Sequence, residues 1–418
     1  MTNSSAALIM TCAKFFTTEV PMPKSTEPLT PAQVYRFAVA FCQPRLAFRS
    51  VGKVTSEVLV TVLFAAAARI SSISETCRRL RDAPCEETYA NALYANLFCL
   101  EELKRKVNAA FVDHLPRPLR RPRKRPLRLG VDLTLLPYYG QHSLESREIY
   151  RSQAKRGTNS FFAYATAYLV LQGQRFTLAV TPVMRSECLK EVLQELLLLV
   201  SKAGLKPGLL LLDRGFYSVA VIRYLQRARR PFLMPVVCHG RKADHPKGPS
   251  GSNVFKQEKK SGWFRHTLKD GKKDKATVWI CVKRARWVDR HGRRKSDTWV
   301  YAYWGITPRR VDWVKETYRK RFGIETSYRQ MNQCRIRTTT KKFNVRFLYV
   351  AIGLLLRNLW VWLHHFVLSS PRRGGRRYNW DLLRVERMLL WLERVAETMY
   401  GLVDTIATER DMPELVPS

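Results

Sequence analysis

The sequence predicts an α/β protein: a mixed-sheet core interrupted by an all-β insertion, with an α-helical N-terminal domain. Three observations carry that expectation. Between residues 127 and 238, short apolar runs alternate with longer runs of helical period. From 239 to about 307 the helical runs stop, and three aromatic, β-rich runs take their place. Ahead of both, residues 56–111 are apolar at helical spacing. A chain of 418 residues has room for more than one such domain.

Residues up to about Arg45, with Pro21, Pro23, Pro28 and Pro31, read as irregular. Their first stretch lacks the basic start and apolar centre of a signal peptide. Within the helical stretch, Ser72–Leu80, Arg81–Cys85 and Glu86–Leu97 read as helix, tight turn, helix. Glu86 and Glu87 suit a helix N-terminus by charge. The second helix then shows Thr88, Tyr89, Asn91, Tyr94 and Asn96. This is either a helix-turn-helix that enters a DNA groove or a plain helical hairpin, because no arginine lies on an obvious face. Residues 1–115 form the expected end-binding domain. Residues 116–130, PRPLRRPRKRPLRLG, are a linker in which proline forbids a regular helix. Arg121, Arg123, Lys124 and Arg125 suit it to lie along phosphates.

The core is expected over 131–238. LRLGVDLTLLPYY reads as a strand, and FFAYATAYLVLQGQRFTLAVTPV as two strands joined near Gly173. Leu189–Leu205 is a helix ended by Gly204. A buried strand, PGLLLLDRGF, a helix and a strand, PFLMPVVC, complete the pattern. The all-β insertion, 239–307, carries Trp263, Trp279, Trp287, Trp299 and Trp304, with Asp270-Gly271 as a hairpin turn. Residues 308–370 return to helix and are assigned to the second part of the core. Residues 371–418 form a helical tail. Phe347–Leu368 has the length of a membrane span, but Arg357, Asn358 and His364-His365 lie inside it. A mid-bilayer charge costs roughly 2.5–3.5 kcal/mol, so a buried core helix is expected and no membrane partner.

Charge narrows the function. With 73 Lys+Arg against 34 Asp+Glu the net charge is +39, an excess that repels itself unless a polyanion neutralises it. That argues against an ordinary metabolic enzyme and towards nucleic acid, with an anionic membrane surface second. At 46% hydrophobic residues the chain folds rather than forming a basic tail. Its nine scattered cysteines contain no CxxC pair, which excludes a disulfide framework and a structural zinc site and fits a cytoplasmic location.

Three acids stand out. Asp132 sits inside an apolar strand, where a carboxylate costs desolvation energy unless something positive meets it. Asp213 ends a buried strand, the place where α/β folds put their sites. Glu325 lies on a basic helix beside Lys320, Arg321 and Arg329. If the strands of Asp132 and Asp213 are neighbours, the three could hold two Mg²⁺ ions roughly 3.5–4 Å apart for phosphodiester chemistry. Singly, each has a plainer role: a buried acceptor, a turn cap, a surface ion pair. Tyr318, Arg321, Glu325, Arg329 and Asn332 share one helical face by their spacing. That face reads as a phosphate clamp around a metal ligand, or as a solvated face with ordinary ion pairs.

These residues resemble the DDE transposases of prokaryotic insertion sequences, in particular the branch signed Tyr-x2-Arg-x3-Glu-x6-Lys. Here the run stands as Tyr318, Arg321 and Glu325, with Asn332 where lysine is expected. The run DRGF at Asp213–Phe216 and the β-rich insertion resemble the same branch, over about residues 125–370. The resemblance implies an RNase H-like core, with catalytic Asp132, Asp213 and Glu325 binding Mg²⁺, or Mn²⁺ in its place. It also implies cleavage at transposon ends, then attack of the freed 3′-hydroxyl on target DNA. Tyr318 and Arg321 would contact the backbone near the cut end, Arg329 would supply the missing lysine's charge, and one insertion tryptophan would stack a flipped base. Double-stranded DNA, a homodimer in the synaptic complex and a nucleoid-associated, cytoplasmic location follow. A non-catalytic DNA-binding derivative and an RNase H-like nuclease are the alternatives.

Overall fold

The computed structural model describes residues 28–115, 127–141, 147–171, 174–271, 274–373 and 375–405, with the backbone alone at 171, 174 and 322–332. The helices before the sheet are α1 (Pro31–Leu46), α2 (Ser56–Arg69), α3 (Ile73–Arg79), α4 (Glu86–Ala95) and α5 (Leu100–Asp113). The sheet region holds β1 (Leu127–Pro137), β2 (Tyr150–Lys155), β3 (Thr158–Leu171), β4 (Gln174–Val183), α6 (Leu189–Lys202), β5 (Pro207–Leu212), α7 (Val219–Arg227) and β6 (Phe232–Pro235). It continues with β7 (Gly262–Asp270), β8 (Asp274–Val288), β9 (Arg294–Trp304) and α8 (Val311–Gln333). The chain closes with α9 (Phe343–Phe366), β10 (Ser370–Arg372), β11 (Gly375–Arg377) and α10 (Val385–Tyr400). The chain divides into two compact units, Met1–Leu103 with Met331–Ser418, and Lys104–Gln330.

The helical unit draws on both ends of the chain, so the division differs from the expected boundaries at 116 and 370: α9 and α10 belong with the N-terminal helices. Pro31 starts a helix rather than extending an irregular arm. It stands at the first helical turn, where its missing N–H costs nothing, behind a Thr30–Gln33 capping box. Arg79 of α3 grips α10 through Glu393 at 2.9 Å and Glu397 at 2.6 Å. Tyr89 of α4 and Asn96 at its C-terminal cap, candidates for groove contact in a helix-turn-helix, are internal fastenings. The Tyr89 hydroxyl is fully buried and donates to the Leu59 carbonyl at 2.7 Å. Asn96 accepts from Arg49 N at 2.7 Å and donates to Arg49 O at 2.9 Å. Helix α9 is long and apolar enough to cross a membrane, yet 94% of its apolar window is buried within the protein. His364 has no exposed surface, and its Nε2 meets the Leu383 carbonyl at 2.8 Å, a packing role as expected.

The second unit is built on one sheet with path β2-β3-β1-β5-β6-β9-β8-β7, and β4 paired to β3. Strands β1, β3 and β4 run antiparallel in series, while β1, β5 and β6 are parallel neighbours. The short edge strand β2 was not expected, because YRSQAK is polar and only partly covered. The expected all-β insertion extends the core sheet, since β9 pairs with β6 and carries β8 and β7 on as the same sheet. Inward residues such as Ile280, Val282 and Ala302 are fully buried, and that burial draws the hairpins onto the core. Gly130 on β1 permits a close approach: a Cβ there would lie 2.2 Å from the Tyr168 ring of β3.

Candidate active site

Register brings the two aspartates together. Val131 of β1 pairs with Leu212 of the parallel neighbour β5, so Asp132 and Asp213, each one residue further, stand side by side. The C-terminal edge of parallel strands is where an α/β fold can gather polar groups without breaking its ladders. Asp132 is 8% exposed, and its Oδ1 accepts the Leu133 N–H at 2.8 Å. Asp213 follows the last strand residue and opens a single 3₁₀ turn, Arg214–Phe216.

A buried guanidinium joins them. Arg321 of α8 is 7% exposed; its Nη2 donates to Asp213 Oδ1 at 2.9 Å, and its Nη1 lies 3.3 Å from Asp132 Oδ2. Burial pushes the Asp132 carboxyl up to about 6, with Asp213 adding repulsion, although Arg321, the Leu133 N–H and Arg175 pull the other way. Burial opposes the charge on Arg321, but Tyr318 and the two aspartates hold its pKa above the ordinary value. A desolvated carboxyl within a strand, with a specific charged partner and a second acid beside it, is a functional-site signature.

The reading of this helix face as an open clamp is corrected. Tyr318 is 1% exposed, belongs to a core cluster with Leu209, Leu211 and Tyr301, and donates its hydroxyl to the Leu212 carbonyl at 3.3 Å. It anchors α8 on β5 directly beside Asp213. Arg321, one turn on, is spent on the aspartates. An aromatic residue at helical spacing packs where apolar strands await it, and the arginine then has the carboxylates as its nearest counter-charges. Helix α8 runs on through Glu325, Arg329 and Asn332, whose side chains lie outside the described residues, as do Arg121, Arg123, Lys124 and Arg125. Among the described residues no group of three metal-ligating side chains occurs.

Arg175 was missed by sequence reasoning. On β4 it is 2% exposed, stacks its guanidinium 4.7 Å from the Tyr168 ring and donates to the Arg321 carbonyl. The only signal was a lone cation beside the expected turn at Gly173, which reads as solvated. A cavity of about 450 Å³ opens beside Asp213, with Arg214, Lys256, Lys315 and Arg319 on its walls and the Trp299 and Tyr318 rings between them. Lys315 Nζ lies 3.1 Å from the centre of the Trp299 ring, a cation–π contact. None of the lining residues is acidic.

Two register-paired carboxylates on adjoining strands of a mixed sheet, with a basic cavity whose lining begins at Arg214, the residue after Asp213, form the candidate site. The chain belongs to the transposase DDE domain family, which matches residues 126–359 and so takes in Asp132, Asp213 and α8. No curated protein sequence matches it significantly. A cryo-EM structure of the piggyBac transposase synaptic complex with hairpin DNA shares 10% identity over 91% of this chain and 84% of that one. The TM-score is 0.48, and a likeness of that size carries no weight for the function of this protein.

Proposed function

We propose that the protein is a DNA transposase with an RNase H-like core, which cuts transposon ends and joins them to target DNA at Asp132, Asp213 and Glu325. The observation that carries this reading is the register-paired aspartates, both within 3.3 Å of one buried cation. Their donors are carboxylate oxygens, the set a hard divalent ion such as Mg²⁺ or Mn²⁺ takes. Since both already converge on a single cationic group, they fit such an ion, with Glu325 from the next turn of α8 as the further ligand. When bound, divalent ions would activate the attacking oxygen and stabilise the leaving one. The chain's own residues do the rest. Asp132 must give up its proton to serve, Tyr318 fixes α8 against β5, and Arg321 keeps the two carboxylates aligned. Arg329 supplies the charge absent at Asn332, the basic linker and cavity hold the duplex, and one of the insertion tryptophans stacks a displaced base. The active species is a homodimer that pairs two ends, in a nucleoid-associated, cytoplasmic setting. Incubation with Mg²⁺ and DNA carrying the sequences that flank the gene tests the reading. Cleavage followed by joining supports it, nicking without joining indicates an RNase H-like nuclease, and binding alone indicates a non-catalytic derivative.

The buried Asp132 carboxyl makes divalent binding depend on pH. Folded Asp132 keeps its proton up to about pH 6, whereas an ordinary aspartate releases it at 3.8. This group therefore favours folding fully below 3.8, and the contribution is lost as pH rises through about 6. For the ion the sign is opposite, because the proton competes for the same oxygen. Below about pH 6, Mn²⁺ affinity is expected to fall about tenfold per pH unit, as followed by electron paramagnetic resonance. A flat affinity between pH 5 and 7, taken as rough limits, would remove Asp132 from the ligand set.

A further inference from the structure

The β8–β9 hairpin outruns the sheet that carries it. Strand β7 stops pairing with β8 at Val282, and β6 stops pairing with β9 at Tyr301. Beyond those points Lys283–Val288 and Arg294–Trp299 have only each other as strand partners, a two-stranded ribbon about 20 Å long that is braced at its base where Arg284 N donates to Ser261 Oγ at 3.0 Å. The turn at its tip is ordered by Asp289, whose carboxylate accepts from His291 N and Arg293 N, both at 2.9 Å. The ribbon is therefore a built arm and not a loose loop.

Its charge is one-sided. From Lys283 to Thr298 the chain has seven Lys and Arg against Asp289 and Asp297. Lys283 is paired with Asp312 at 2.7 Å, and Arg284 donates to the Glu258 carbonyl at 3.1 Å. Arg286, Arg290, Arg293, Arg294 and Lys295 are exposed, and among the described residues none of the five is in an ion pair. Five like charges crowded on one hairpin repel each other, and of them only Arg290 has a side-chain hydrogen bond, to His291 at 3.0 Å, among the bonds described for the arm. At the same tip Trp287 is 46% exposed and Val288 62% exposed, apolar surface turned to solvent.

The direction of the arm is set by the sheet. Strands β5 and β6 are parallel, and β9 is antiparallel to β6 with Tyr301 opposite Pro235. The arm thus leaves the sheet at the end where β5 delivers Asp213, and its base residues Thr298 and Trp299 line the cavity beside that aspartate. A two-stranded ribbon is also an element that the major groove of B-form DNA admits.

We infer that this arm is a second duplex-DNA contact, separate from the aspartate pair, which engages the phosphate backbone of the segment running away from the reacting phosphodiester. The inference rests on the DNA-handling reading above and adds a place where the duplex is held. The test uses the full chain with Arg286, Arg293, Arg294 and Lys295 all changed to Ala, and a labelled duplex of arbitrary sequence at several salt concentrations. Affinity is expected to fall at least about tenfold near 0.15 M salt, and the log–log salt slope to flatten by about 0.9 for each phosphate no longer neutralised. A companion variant, R286K/R293K/R294K, is expected to keep the wild-type slope, which separates lost charge from misfolding. Unchanged affinity and slope in the Ala variant overturn the inference. So does a loss confined to sedimentation with phosphatidylserine vesicles, which would make the arm a membrane contact. Wild-type protein that cuts DNA without needing the arm refutes the arm alone. Arm-dependent binding without any Mg²⁺-dependent cutting refutes the catalytic reading alone.

Discussion

Asp213→Asn is expected to lower DNA cleavage and joining by at least about 1000-fold while leaving DNA binding intact. That factor corresponds to about 4 kcal/mol of transition-state stabilisation, a fair share of what divalent ions supply in phosphodiester displacement. The amide keeps an oxygen to accept the 2.9 Å bond from Arg321 Nη2, so the local packing survives. What disappears is the negative charge that a divalent ion needs. Binding should persist, because one acid removed from a chain of net charge +39 does not weaken its attraction to phosphate. Gel-based cleavage and strand-transfer assays beside a filter-binding isotherm read both quantities. An Asn variant that cuts at the wild-type rate would show that Asp213 only caps its turn. A wild type that binds but does not cut would favour the non-catalytic derivative.

Arg321→Met should produce the largest stability change of any single substitution at the site. Its guanidinium is the nearest cation to both Asp132 and Asp213, and its side chain is only 8% exposed. Removing the cation leaves the buried Asp132 uncompensated, while Asp213, with 36% of its side chain exposed, is still reached by water, so a loss of about 3 kcal/mol, the lower end for a buried ionic group, is expected. Here two carboxylates would face each other across β1 and β5. Chemical denaturation in chelator should report the loss, and added Mg²⁺ should restore part of it by replacing the missing charge. Lysine should rescue incompletely, because a single ammonium cannot fork to two carboxylates. A methionine variant as stable as wild type, or one indifferent to Mg²⁺, would mean that Arg321 does not organise the pair.

Some of this was legible in the residues alone. An aspartate within GVDLTLLP must be met by something positive, and LLLLDRGF shows a buried strand ending in an acid, because desolvation and chain reversal are local properties. The alternation that announces a mixed sheet is local too, as is the basic excess that points to a polyanion. Which strands are neighbours is another matter. The β1–β5 pairing that sets Asp132 beside Asp213 joins segments about eighty residues apart, and nothing in either segment names its partner. Arg321 and Tyr318 looked like an outward stripe, since helical spacing shows which residues share a face but not what that face meets. Arg175 looked solvated until β3 supplied Tyr168 and α8 a carbonyl. That the tryptophan-rich hairpins continue the core sheet was not legible, because their attachment depends on the edge of β6, which only the assembled sheet exposes. The sequence by itself determined most element types, though not the Pro31 helix or the polar edge strand β2, together with the acids and the charge. Tertiary structure decided which acids meet and which cation lies between them, because long-range strand pairing and shared burial are set by the packed whole and not by any one window of the chain.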